Sequence, residues 1–226
     1  MPRVIVFDLI ETLLDLRAMD HHFERFFGDA AVRKEWFMQT LQLAMAALLT
    51  NAYEDFGVQV DTALEITARH YKVSMLGEEK NLILSTLRKL RPFPEVAQSL
   101  QRLRDAGLKL ATLTNSTAQT AAAQLAYAAL RDHFEQVISA DEIRCFKPAP
   151  EVYHLAARRL NVEPGQMRLV SAHDWDVTGA LRAGCAAAFV ARPGHVMNPF
   201  GPQPDVRGGD LAEAVEKILA VELEQG

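Results

Sequence analysis

The stretch VIVFDLIETLLD, residues 4–15, decides the fold. Its first four residues are β-branched or aromatic without alternation, as expected of a strand covered on both faces. The run then ends on an acid, Asp8, with the hydroxyl of Thr12 four positions on and Ile10 between them. In an open parallel sheet, ligands bind outside the carboxyl ends of the strands, so an acid at that edge is a candidate for chemistry.

Working outward, three more apolar runs match the first: LKLATLTN (108–115), MRLVSA (167–172) and AAAFVA (186–191), with a weaker one, QVISA (136–140). Helical patterns separate them: PEVAQSLQRLRDAG, TAQTAAAQLAYAALRDHF, APEVYHLAARRLN and VTGALRAG. Gly107 and Gly184 fall where helix C-caps belong. This alternation predicts an α/β fold with a Rossmann-like parallel sheet. Residues 16–92 break the rhythm, being strand-free and apolar at helical spacing, as in EWFMQTLQLAMAALL. A structureless connection of that length is improbable in a compact domain. The expected organisation is a catalytic core from residues 1–15 and 93–226, with 16–92 inserted as a separate all-helical cap and RPFPE (91–95) marking the return. The stretch RPGHVMNPFGPQPDVRGGD reads as a polar loop before a last helix from Leu211 to Glu222.

Bulk properties narrow the partners. With 226 residues, of which 49% are hydrophobic, the chain can bury a sizeable core. A net charge of -5 and no basic stripe exclude a phosphate-backbone binder, so no nucleic-acid partner is expected. The two cysteines, Cys145 and Cys185, are too few for a disulfide framework and point to a reducing cytoplasm. No apolar run reaches the roughly 18 residues of a spanning helix, and MPRVIVFD lacks the layout of a signal peptide, so no membrane partner is expected.

Polar residues directly behind the apolar runs collect at one rim: Asp8 and Thr12, then Thr114, Asn115, Ser116 and Thr117, then Lys147, then Ser171, His173, Asp174 and Asp176. Taken singly, each has an ordinary reading, Asp8 as a helix cap or Lys147 as a solvated lysine. Together they fit a carboxylate nucleophile kept ionised by Lys147. Thr12 and Ser171 would orient the carboxylate or a water, and TNSTAQT, opening a helix, would suit a small phosphate or carboxylate.

These four loops resemble the haloacid dehalogenase superfamily: VFDLIETLLD its first motif, LTNST its second, the lysine of FKPAPEVY its third and SAHDWDVTGA its fourth. Most members of that superfamily are magnesium phosphatases with a second aspartate where Ile10 stands and an acid where Ala172 stands. Ile10 transfers no proton, and the missing oxygen donor weakens a Mg²⁺ site. The resemblance therefore narrows to the L-2-haloacid dehalogenase branch, which uses no metal or other cofactor and whose halide leaving group needs no proton. It implies catalytic roles for Asp8, Thr12, Lys147, Ser171 and Asp176. It implies substrate contacts from Ile10, Thr114, Asn115, Ser116, Phe56 and Trp175, support from Tyr153, a small-molecule 2-haloacid substrate, and a possible homodimer through the cap. A magnesium phosphatase, or a lapsed member binding a small acid or a protein, stand as alternatives.

Three positions depart from the branch. Phe37 stands where an arginine normally meets the halide, and Arg33, one turn earlier, offers itself as a substitute. Glu11 replaces a glycine and is expected to face solvent. His173 replaces an asparagine, and is read either as a neutral, hydrogen-bonded loop residue or as a replacement cation. His21 and His22, with Glu24, read as solvated rather than metal-binding. Met38, Met45 and the run from Leu41 to Leu49 read as cap packing or a dimer face, and Cys185 as buried and inert.

Overall fold

The structure, a computed structural model, describes residues 3–224. Strand β1 (Val4–Phe7) is followed by four helices, α1 (Asp20–Phe27), α2 (Val32–Leu49), α3 (Phe56–His70) and α4 (Gly77–Thr86). The chain then alternates: α5 (Val96–Asp105), β2 (Leu110–Thr114), α6 (Ala118–Tyr127), β3 (Gln136–Ser139), α7 (Pro150–Leu160), β4 (Met167–Ser171), α8 (Asp174–Arg182) and β5 (Ala186–Val190). A short β6 (Val206–Gly208) and α9 (Leu211–Glu224) end it. The six strands run parallel in the order β3-β2-β1-β4-β5-β6. The chain winds outward from β1 on one side and then restarts at β4 on the other, which puts the topological switch point, where such sheets bind ligands, at the tip of β1.

The unbroken apolar character of β1 follows from its position. Ile5 and Phe7 face one apolar cluster with Leu110, Val170 and Leu125, while Val4 and Val6 face the other with Leu113, Leu169 and Val152. Each such side chain, fully buried, contributes about 1.5–3 kcal/mol, so a polar residue is tolerated only beyond the last turn of packing, at Asp8. A charged residue, Arg168 inside β4, is fully buried yet bonded to Glu222 Oε1 at 2.8 Å, Asp205 Oδ2 at 2.8 Å and the Ala187 carbonyl at 3.2 Å.

The helical segment is pinned where it leaves and rejoins the sheet. Leu14 bridges antiparallel to Pro92, Asp15 N–H donates to the Arg91 carbonyl at 2.8 Å and Phe93 N–H to the Leu13 carbonyl at 3.0 Å. RPFPE thus runs beside the chain that leaves β1. Trp36, Leu64 and Ile83 from this segment belong to the same apolar cluster as Ile5 and Phe7.

Two local expectations need correction. The polar stretch after β5 contains β6, a three-residue strand too short to show a pattern. His22 is not solvated: it is 6% exposed, with Nε2 2.9 Å from Thr86 Oγ1, while its neighbour His21 is exposed.

Candidate active site

Asp8 is the first residue past β1 and is 5% exposed. Lys147 Nζ donates to its Oδ1 at 2.7 Å and Thr12 Oγ1 to its Oδ2 at 2.8 Å, so both oxygens are held by donors. Thr12 is itself fixed. Its hydroxyl accepts from Ala172 N–H at 2.9 Å, and its carbonyl accepts from Arg192 Nη2 at 2.8 Å and Nε at 3.1 Å.

The same ammonium reaches the fourth loop. Lys147 Nζ donates to Asp176 Oδ2 at 2.7 Å and to the Leu113 carbonyl at 3.1 Å, using all three of its donors. Tyr153 Oη donates to Asp176 Oδ1 at 2.7 Å. Gly179 makes this approach possible, because a Cβ there would stand 2.5 Å from Tyr153 Oη and 2.9 Å from the Pro148 carbonyl.

Burial by itself would raise the Asp8 carboxyl, but the facing Lys147 charge, His173 and the donated hydrogen bonds hold it below its ordinary range. Asp176 goes the other way. Its complete burial, reinforced by repulsion from Asp8, outweighs Lys147 and keeps it above the ordinary value. Lys147, though buried, is held above its usual range by the two carboxylates. The site thus divides into an ionised carboxylate and a more basic one, the division of labour expected of a nucleophile and a proton acceptor.

The second loop completes the wall. Asn115 Oδ1 accepts from Lys147 N–H at 2.8 Å, and its Nδ2 donates to nothing among the described residues. Thr114 Oγ1 accepts from Ser116 N–H at 3.2 Å. Asp8, Ile10, Phe37, Phe56, Thr114, Asn115, Lys147, His173 and Trp175 surround a cavity of about 20 Å³, room for about one water. Phe37, Leu41, His173 and Trp175 separate it from an outer cavity of about 550 Å³.

Not every expected residue lands beside Asp8. Ser116 lines a different groove, between α3 and α6, and its buried hydroxyl has no partner. Ser171 accepts from His173 N–H at 3.1 Å, which ties it to the fourth loop rather than to Asp8. Tyr153 reaches the site only through Asp176.

The three departures are resolved by geometry. Arg33 does not enter the Asp8 cavity: Nε bonds Asp20 Oδ1 at 2.5 Å, Nη1 lies 3.4 Å from Glu11 Oε1, and the side chain lines the outer cavity. Glu11 does not face solvent. It takes φ 63°, the left-handed region that favours glycine, and turns toward Arg33, His173 and His195. Burial works to raise its carboxyl, yet those three neighbours hold it below its usual range. His173 Nε2 lies 3.1 Å from the Ile10 carbonyl, an oxygen that can only accept, so Nε2 carries a proton there. The same nitrogen is 3.7 Å from Asp8 Oδ2, and the ring stacks on Trp175.

Two residues escaped the sequence reading, Arg192 and His195. Both follow β5 at the same carboxyl edge as the other loops, so the rule that found Asp8 and Lys147 applies equally to VARPGH.

A family model described as haloacid dehalogenase-like hydrolase matches residues 2–184 of the chain. The chain belongs to that family. Among its haloacid dehalogenase-like relatives, the (S)-2-haloacid dehalogenase of Pseudomonas sp. (strain YL) is 31% identical over 214 residues, 94% of this chain and 92% of the relative. Haloacetate dehalogenase H-2 of Moraxella sp. (strain B) is 28% identical over 219 residues, 96% of this chain and 97% of that one. A solved structure of L-2-haloacid dehalogenase from Xanthobacter autotrophicus with chloropropionic acid covalently bound superposes with a TM-score of 0.90 at 27% identity, covering 98% of this chain and 99% of that one. The six-stranded parallel sheet is thus the haloacid dehalogenase fold.

Proposed function

We propose that this enzyme hydrolyses the carbon–halogen bond of a small 2-haloacid through an ester on Asp8. The observation that carries the reading is an ionised, doubly held Asp8 with Ile10 at the position where phosphoester chemistry requires a proton donor. The relatives named (S)-2-haloacid dehalogenase, and the neighbouring structure with its covalently bound acid, support the same reading.

In the first step an Asp8 oxygen attacks the halogen-bearing carbon from behind. The carbon–halogen bond breaks and the electron pair leaves with the halide, so no proton is needed. In the second step water attacks the Asp8 carboxyl carbon, giving a proton to Asp176, whose raised basicity suits it as acceptor. The bond from that carbon to the ester oxygen carried by the substrate breaks, the alkoxide takes the proton held on Asp176, the Asp8 carboxyl releases its proton to solvent, and the 2-hydroxy acid leaves with inverted configuration. Neither step transfers electrons or calls for a cofactor.

Within this reading, Lys147 holds both carboxylates and Thr12 orients the nucleophile. Thr114, Asn115 Nδ2 and the N–H groups of the second loop receive the substrate carboxylate, while Phe37, Phe56 and Trp175 form the apolar wall. Ser171 sets the loop that carries His173. The segment 16–92 acts as a cap over this wall, with 1–15 and 93–226 as the catalytic core. The cavity at Asp8 is smaller than any haloacid, so substrate entry requires that wall to move. The two free thiols fit a cytoplasmic location, and exposed Met38 and Leu49 on α2 fit a homodimer through the cap. Among the described residues no helix is long and apolar enough to cross a membrane.

The test is halide release from chloroacetate, fluoroacetate and L-2-chloropropionate beside Asp8→Asn. Turnover by the wild type and none by the variant is expected, whereas activity surviving in the variant contradicts the proposal.

A further inference from the structure

We propose that Glu11, His173 and His195 form a binding site for one divalent transition-metal ion of the zinc class, at the passage between the outer cavity and Asp8. The three side chains offer ligand atoms all within 4.8 Å of one another. Glu11 Oε2 faces His195 Nε2 at 3.5 Å and His173 Nε2 at 4.0 Å. Ligand atoms around a tetrahedral zinc stand about 3.3 Å apart, so small side-chain rotations close the set.

The carboxylate is already oriented for this. Its other oxygen, Oε1, is held by Arg33 Nη1 at 3.4 Å, and Arg33 is anchored in turn by Asp20. A supported outer partner of this kind fixes the direction of a metal ligand. Two imidazoles and one carboxylate are the donors preferred by zinc, nickel and copper rather than magnesium. The remaining coordination positions open into about 550 Å³ of cavity, which leaves room for water ligands. The backbone adds an independent argument. Glu11 occupies a left-handed position, φ 63°, where glycine fits without strain. That backbone conformation turns the Glu11 side chain inward onto the two histidines.

Ligation through His173 Nε2 replaces its hydrogen bond to the Ile10 carbonyl. The bound ion therefore sits beside Asp8, since that nitrogen is 3.7 Å from Asp8 Oδ2. It closes the passage and stops turnover. This inhibitory limb rests on the dehalogenase reading, whereas ion binding does not.

The experiment is calorimetric titration of chelator-treated protein with zinc chloride, alongside visible absorption on adding cobalt chloride, for the wild type, His195→Ala and Glu11→Gln. One ion per chain is expected for the wild type, with binding at least about tenfold weaker in both variants. Halide release should fall as zinc saturates the wild type, return with EDTA, and persist in His195→Ala at the same zinc concentration. Should Glu11→Gln not fold, His195→Ala in its partly exposed loop decides alone. No saturable binding to the wild type, or equal binding to His195→Ala, overturns the site. Binding without inhibition overturns the closure.

Discussion

Asp8, just past β1, and Asp176, in the first turn of α8 after the neighbouring β4, share one ammonium: Lys147 Nζ lies 2.7 Å from an oxygen of each. Both carboxylates and the lysine are buried, so the triad stands or falls together. Removing one member of such a buried set costs about 3–5 kcal/mol, because a charge is left without compensation. Lys147→Met is expected to lower unfolding stability by that order and to abolish ester formation, one carboxylate taking up a proton in its place. Denaturant unfolding at neutral pH and single-turnover halide release check the two effects.

The opposite shifts of the two acids separate the two half-reactions by pH. Asp8 is held below the ordinary range, so it stays ionised as the medium is acidified, and alkylation continues. Asp176 is held above it, so its base form is lost first as pH falls. Esterification of Asp8 removes its repulsion but leaves Asp176 buried, the larger cause of its shift, so mildly acidic solution should slow ester hydrolysis while alkylation proceeds, and the ester should accumulate. Quenched-flow mass spectrometry of the intact chain across that range reads the accumulation directly. An ester level that does not change with pH contradicts this assignment of Asp176.

Tyr153 donates to Asp176 and does not line the cavity at Asp8. Tyr153→Phe removes a hydrogen bond to a buried charge, worth about 1.5–3 kcal/mol. The expected result is slower ester hydrolysis with unchanged alkylation. Gly179→Ala should slow both steps, since its Cβ would meet the Pro148 carbonyl beside Lys147 at 2.9 Å as well as the phenol at 2.5 Å. Burst and steady-state rates measured on both variants make the comparison.

Phe37 stands between the two cavities. Phe37→Leu keeps most of the apolar volume and should cost under about 1.5 kcal/mol of stability. It should raise kcat/KM for 2-chlorobutyrate relative to chloroacetate by roughly tenfold, the scale set by one or two methylenes in a pocket. An unchanged ratio contradicts a gating role.

Much of this was legible in the sequence, because strand-terminal loops follow directly from apolar runs. VFD, LTN and LVSAHD each announce a buried strand and its polar tip in adjacent residues, which placed Asp8, Asn115 and Asp176 at one rim. Lys147 follows the weaker QVISA run at a short distance and was reached by the same rule. What stayed hidden depends on backbone direction. The left-handed turn at Glu11 reverses a side chain that spacing alone points outward. Arg33 looked free because its partner Asp20 lies in another helix, brought near only by packing. Strand β6 is three residues long and held by its neighbour β5, a contact no local pattern encodes.

The covalent role of Asp8 is tested most directly by a single turnover in heavy-oxygen water with enzyme in excess over 2-chloropropionate, followed by mass analysis of the peptide that contains Asp8. One heavy oxygen in that peptide and an unlabelled first-turnover lactate are predicted, since water attacks the Asp8 carbonyl. Label in the lactate with none in the peptide would mean that water attacks the substrate carbon, and Asp8 would not be the nucleophile.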